Sequence, residues 1–317
     1  MTIKKFFVFI TIVVIITNIA GCSTISRNEK FKRINISGET LYDGTTNLEN
    51  IVSSSTKVEY QAKETFSDTM PIYHIVPRQI SDDEFIEFAD FFDVSGNIEK
   101  DGEKTSITLD NGVRVYMPKS NRISYDANID RSNPITQSDE ELINTAKSIV
   151  SNLPLLEDEY ECLGVVSTQT LHHSQKGEMV VSKRIAFCKL LDDKRVIGDE
   201  ICNLYFCSEG LYAVNIELYD YNSTGEMDML SLEDAKASIK TPDSFSIIER
   251  QGVSQLTTEA DTLCVERVKL LYVNQYSSGS TIIQPVYNFI GVASHGDEEM
   301  EFQSKVIAIP KKYTYDD

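Results

Sequence analysis

An α+β fold is what this sequence of 317 residues predicts. It reads as repeated units of one short helix packed on an antiparallel β-meander. Three observations lead there. Serine followed by acidic residues opens three short stretches with helical apolar spacing, the pattern of capped helix starts. Each stretch gives way to alternating, β-prone runs parted by turn residues such as Asp110-Asn111-Gly112. The succession of one helix and several strands then occurs three times, which is an α+β plan.

The chain opens with Lys4 and Lys5, runs almost wholly apolar from Phe6 to Ile19, and meets Ala20 and Gly21 before Cys22. Charge, apolar stretch and small residues in that order are the layout of a secretory signal. The apolar stretch falls short of the about 20 residues that a membrane span needs. Residues 1–21 therefore read as a signal peptide rather than as an uncleaved anchor. Residues 22–56 are rich in Ser, Thr, Asn and charge. They read as a flexible tether with an end-to-end distance of roughly 30–35 Å by random-coil scaling.

The first unit is assigned to 57–132. Ser81 and Glu84 form a capping box before Phe85, Ile86, Phe88, Ala89 and Phe92, and Gly96 marks the stop. Phe91 falls off the apolar stripe and is expected to pack on a neighbouring unit, the alternative being a partner. Strands are predicted over 105–109 and 113–117, joined by the Asn-Gly turn. The second unit, 133–230, opens with Ser138 and Glu141, again a capping box, and Leu142, Ile143, Ala146, Ile149 and Val150 keep helical spacing up to Pro154. Strands are predicted over 160–168, 180–191, 200–207 and 211–219, with Ser208-Glu209-Gly210 as a turn. The third unit, 231–317, begins at Ser231 with Asp234 in place of Glu, a weaker cap, and stops at Thr241-Pro242. Its strands are predicted over 264–273, 282–290 and 301–309, with a turn at 277–280.

Composition limits the partners. The formal net charge is −19. Removing residues 1–21 takes away two lysines and no acid, which leaves 28 basic and 49 acidic residues and a net charge of −21. Such a body repels nucleic acid and anionic lipid. A basic protein, a cationic peptide or a metal ion remains compatible with it. Five cysteines follow Cys22: Cys162, Cys188, Cys202, Cys207 and Cys264. Most lie in apolar, strand-like runs, where cysteine behaves as a small hydrophobe. Cys202 and Cys207 on one strand would face opposite sides, so no disulfide is expected between them without a turn.

Catalytic and metal constellations are sought among four histidines, His74, His172, His173 and His295. None sits in a zinc-protease, nucleophile-elbow or phosphate-loop motif. His172-His173 is read as part of a loop, two ligands being too few for zinc. The acidic groups at 157–159, 192–193 and 297–299 lack the order of a calcium loop and read as solvated, with His295 to Glu299 a polar turn. Paired carboxylates for glycoside cleavage remain a third possibility, against which stands the absence of Trp. No catalytic residue, cofactor or metal ligand is assigned.

Resemblances add to this reading. Ile19-Ala20-Gly21-Cys22 resembles the bacterial lipobox, which implies cleavage before Cys22 and a diacylglyceryl group on its sulfur. Two acyl chains make a stable anchor at about 0.8 kcal/mol per buried CH₂. Arg184–Leu190, Val196-Ile197-Gly198-Asp199, 201–206 and Ser208–Val214 resemble the PepSY-like succession of strands and glycine turns. Val265–Val273 followed by Ile283-Gln284-Pro285-Val286-Tyr287-Asn288-Phe289 resembles the C-terminal end of YycI/YycH-type regulatory proteins. YycI-type proteins carry a transmembrane helix where this chain has a lipobox. The resemblance implies an extracytoplasmic accessory protein that touches a sensor histidine kinase or another envelope protein, and it brings no catalytic residues. The expected function is thus a membrane-anchored, non-catalytic interaction or regulatory lipoprotein on the extracytoplasmic face. The alternative is a lipoprotein that binds a cationic peptide or metal ion. The oligomeric state is left open.

Overall fold

The computed structural model describes residues 31–32, 45–46, 52–102, 104–156, 159–173, 177–241, 244–248, 259–274 and 282–315. Cys22, the signal peptide, most of the tether and the turn at 277–280 lie outside them. Among the described residues no helix is long and apolar enough to cross a membrane.

Two two-residue strands, β1 (Phe31–Lys32) and β2 (Thr45–Thr46), precede β3 (Lys57–Tyr60) and β4 (Thr69–Pro77). Helix α1 (Asp82–Phe91) leads to β5 (Glu99–Asp101), β6 (Lys104–Thr108), β7 (Arg114–Lys119) and β8 (Arg122–Asp126). Helix α2 (Asp139–Val150) leads to β9 (Tyr160–His173), β10 (Gly177–Leu191), β11 (Lys194–Cys207), β12 (Gly210–Glu217) and β13 (Tyr219–Asp228). Helix α3 (Leu232–Ala237) is followed by β14 (Ser244–Ile248), β15 (Thr262–Val273), β16 (Ile282–His295), β17 (Glu298–Ile307) and β18 (Thr314–Tyr315).

The local expectations hold where local chemistry governs. Ser81 and Ser138 cap α1 and α2 with complete capping boxes, and Ser231 accepts the Asp234 amide at the start of α3. At the end of α1 the left-handed position is Asp93, with φ 56°, so the helix has ended before Gly96. Between β6 and β7 the Asn-Gly turn places Gly112 at φ 83°, a conformation costly for a residue with a Cβ. The β9 strand continues to His173, five residues past the predicted end at 168. His172 and His173 lie in that strand, paired with Glu178 and Gly177, and not in a loop.

The repeated-unit α+β plan is overturned. The chain is mainly β, and 16 strands of the described residues join one mixed sheet. Strands β9, β10, β11, β12, β8, β7, β6 and β5 lie side by side, all antiparallel. The join between the expected first and second units is β8 with β12, where Ile123 faces Ile216. One face of this sheet therefore buries both helices in a single core: Phe85, Phe88 and Ala89 of α1 and Leu142, Ala146 and Val150 of α2 pack with Val115, Ile123, Phe187, Leu204 and Val214. Burying each large side chain there contributes about 1.5–3 kcal/mol. Phe91 is 38% exposed and lies edge-on to Phe92 of the same segment at 4.9 Å, so it is not buried in an interface with a neighbouring unit.

The other end of the sheet mixes strands of all three expected units. Strand β3 runs parallel to β15, and β4 pairs antiparallel with β13 and β16. Helix α3 covers the face of β15 to β17 with Ala235 against Val265, Val268, Phe289 and Phe302. Strand β11 then ties the two ends together by a short parallel pairing with β15.

Candidate functional site

That tie begins as a turn. Asp192 and Asp193 join β10 to β11 with φ 49° and 61°, the backbone of a tight hairpin between Leu191 and Lys194. The Tyr73 hydroxyl of β4 donates to Asp192 Oδ2 at 2.6 Å. The pair 192–193 is thus a turn with one acid engaged, and only in part a solvated face.

Strand β11 then leaves its partner. Leu190 is opposite Arg195 and Cys188 opposite Glu200, so residues 196–199 bulge out of the β10 ladder. Val196 and Ile197 pair instead with Tyr272 and Val273 of β15, and the Asn274 amide donates to the Ile197 carbonyl at 2.8 Å. Gly198 has φ +81°, and a Cβ on it would stand 2.5 Å from the Asn274 carbonyl oxygen. Only glycine fits both the conformation and the approach.

The residue after this glycine is carried inward. Asp199 is 4% exposed and accepts a hydrogen bond from the Tyr221 hydroxyl of β13. Two residues before Tyr221, the Tyr219 hydroxyl donates to Glu217 Oε1 at 2.6 Å, and Arg122 donates to Glu217 Oε2 at 2.7 Å. Lys189 donates to Glu159 at 2.9 Å and stands 5.6 Å from the Tyr221 ring centre. Burial pushes the Asp199 carboxyl up to about 6, and the charge of Glu217 adds to this while Tyr221 and Lys189 oppose it. Burial, then the Asp199 charge, lifts the Tyr221 hydroxyl far above the ordinary phenol range. The Cys188 thiol, on the same face, is pushed by burial up to about 12. It is a small buried side chain whose thiol is held in the protonated, weakly nucleophilic form.

Two recesses flank the junction and share Glu217. The larger, a cleft of about 790 Å³, is walled by Leu163, Val165 and Val166 of β9, and its polar side presents Arg122, Arg184, Arg195 and Asn203. Arg184 is fixed there by Glu200 and by Asn203, the latter at 2.7 Å. Among the described residues Arg195 has no ion pair and faces Cys188. The smaller recess, about 340 Å³, holds Tyr73, Tyr219 and Tyr221 beside Glu159, Asp192 and Asp220.

The residues singled out in the sequence do not converge. His74 lies in β4 opposite Asn222 and Ile282. His295 ends β16 with Nδ1 3.3 Å from Asp261 Oδ2, and Gly296 at φ 57° starts the polar turn into β17. Among the described residues no three of His, Cys, Asp and Glu gather where they could hold a metal ion. Cys162, Cys188, Cys202, Cys207 and Cys264 are all free thiols. Cys202 packs under the helices and Cys207 in the separate cluster with Tyr212 and Ala127, on the opposite side of β11 as alternation requires. Sequence reasoning missed Asp199, Glu217, Tyr221 and the three arginines. The available signals were the Val196-Ile197-Gly198-Asp199 turn and the alternate placing of Glu217, Tyr219 and Tyr221.

No family model matches the sequence, and no curated protein matches it. Among similar solved structures is an uncharacterized protein from Eubacterium rectale ATCC 33656, with 10% identity and a TM-score of 0.41 over 84% of this chain and 92% of that one. Another is YycH from Bacillus subtilis, with 11% identity and a TM-score of 0.37 over 70% of this chain and 49% of that one. Likenesses of this size assign no function.

Proposed function

We propose that this chain is a non-catalytic interaction module that docks on a protein partner at the outer face of a membrane. Lipid on Cys22 holds it there once residues 1–21 are removed. The partner is an envelope protein, of which a sensor histidine kinase is the kind implied by the sequence resemblance. The observation that carries the reading is the cleft beside the bulge of β11, lined by residues of β8 to β12. Its wall is apolar, and two of its charged groups are held by their neighbours: both oxygens of Glu217 are engaged, by Tyr219 and Arg122, and Arg184 is engaged by Glu200 and Asn203. Such groups present a fixed pattern to a partner rather than pass protons. Arg195 supplies a cation for an acidic side chain of the partner.

The test is a photo-crosslinking residue at Asn203 in cells, with adducts identified by mass spectrometry. One membrane protein is expected, with its adduct lost in Arg195→Glu. Failure to recover any specific protein overturns the reading.

The smaller recess favours a second reading, binding of a cationic peptide. Four carboxylates, Glu159, Asp192, Glu217 and Asp220, outnumber the two cations there, Arg78 and Lys189, of which Lys189 already holds Glu159, and three tyrosines present faces that attract cations. Titration calorimetry with a lysine-rich peptide tests it; no heat and no thermal stabilisation would remove it.

A further inference from the structure

Strand β9 differs from its surroundings in two ways. It pairs with β10 on one side, and among the described residues nothing pairs with its other side. No Asp, Glu, Lys or Arg occurs from Cys162 to Gln175, in a chain where 25% of residues are charged. Proteins usually guard a long free edge with lysine, proline or inward charges, because its unpaired amides and carbonyls are a template for another strand. Here the edge is Leu163-Gly164-Val165-Val166-Ser167-Thr168-Gln169-Thr170-Leu171, rich in residues that favour strands. Ser167 to Leu171 are exposed in succession, and Leu171, at 41%, is one of the few large apolar side chains left open.

We infer that β9 is an interaction edge for a second copy of this chain, by antiparallel strand addition across a two-fold axis. The charge pattern selects that occupant. Two bodies of net charge −19 repel one another over most of their surfaces. The uncharged strand is where they can meet without setting like charges opposite each other, a juxtaposition that destabilises strand pairs. A cationic partner would instead need acids along the edge, and β9 has none beyond Glu161. An antiparallel strand pair is also self-complementary, as a two-fold interface must be. Because the axis stands normal to the sheet, opposed residues share a face. Centring it on Thr168 sets Ser167 opposite Gln169 of the other copy, twice over, in the part of β9 that carries no bulge, and brings each exposed Leu171 beside the other copy's strand.

The test is a cysteine scan of the full chain in membranes, from Val166 to Leu171, with Glu99→Cys on β5 as the control at the far edge of the same sheet. After mild oxidation, a disulfide-linked dimer is expected at least tenfold more abundant for Thr168→Cys than for Glu99→Cys. Thr168→Glu, which opposes two carboxylates at the axis, should abolish crosslinking from a neighbouring cysteine such as Gln169→Cys. Raising salt should increase the yield, since it screens the net charge. Circular dichroism of each variant shows that it has folded. Equal yields from β9 and β5, or adducts to a protein other than this chain, would overturn the proposal.

Discussion

Asp199→Asn isolates what the buried acid costs. In the folded chain its carboxyl titrates near 6 against an ordinary 3.8, because burial disfavours the charge. The native state thus binds this proton more tightly than the unfolded chain does. Where the unfolded state binds fewer protons than the native one, stability falls as pH rises. The loss begins near pH 4 and is complete somewhat above pH 6. At 1.36 kcal/mol per decade of proton affinity, it amounts to about 3 kcal/mol at pH 8 and about half of that at pH 5. Asparagine cannot ionise, yet its carbonyl oxygen still accepts from Tyr221. The variant should therefore be the more stable protein, with an advantage that doubles between pH 5 and pH 8. Urea unfolding of both proteins across that range measures it, and the difference between them cancels every other titrating group. An advantage that does not change with pH, or a variant less stable than the parent at pH 8, would refute the assignment of the cost to a buried charge.

Gly198→Ala should destabilise the fold by on the order of 1–3 kcal/mol from its backbone conformation alone, and by more through the clash with Asn274; a denaturant midpoint within error of the parent would show that β11 and β15 separate freely. Ser138→Ala removes the acceptor of the Glu141 amide, 3.2 Å away, and should cost about 0.5–2 kcal/mol, read by the same unfolding assay. Cys22→Ala should abolish labelling by a fatty-acid probe and either release the protein or leave it as unprocessed precursor; continued labelling would mean that lipid is attached elsewhere.

What could be read from the sequence was short-range. A capping box spans four residues and a hairpin turn two, so Ser81, Ser138 and the Asn-Gly turn declare themselves. Strand partners do not. Nothing in Ile123 names Ile216, yet that pairing merges two expected units into one sheet. Lys57–Tyr60 was assigned to the first unit because it comes first, while its partner is Thr262–Val265, more than 200 residues later. The end of β9 was missed because Ser167 to Thr170 are all polar, and alternation is the signal by which a half-buried strand is recognised. The site was legible only in part. Val196-Ile197-Gly198-Asp199 stood out as a turn, but the sequence does not show that this turn leaves one ladder for another. Tyr221 and Arg122 reach the site from strands that only the topology brings near.

The junction also explains why a buried acid sits in an otherwise apolar seam. A well-packed apolar pair would hold two strands together at lower cost than a desolvated carboxylate and a phenol. Asp199 and Tyr221 do something that such a pair cannot. A hydrogen bond has a direction, so it fixes how β13 is set against the bulge of β11. Along β13 and its approach, Glu217, Tyr219 and Tyr221 follow at alternate positions, and fixing one sets the others. Glu217 lies on the wall of both recesses, and through Arg122 it extends the same order to β8. The stability given up at Asp199 is therefore spent on the shape of the cleft. Its apolar wall comes from β9 and its cations from β8, β10 and β11, and a partner seated there would meet them in one arrangement only while the bulge of β11 holds its place.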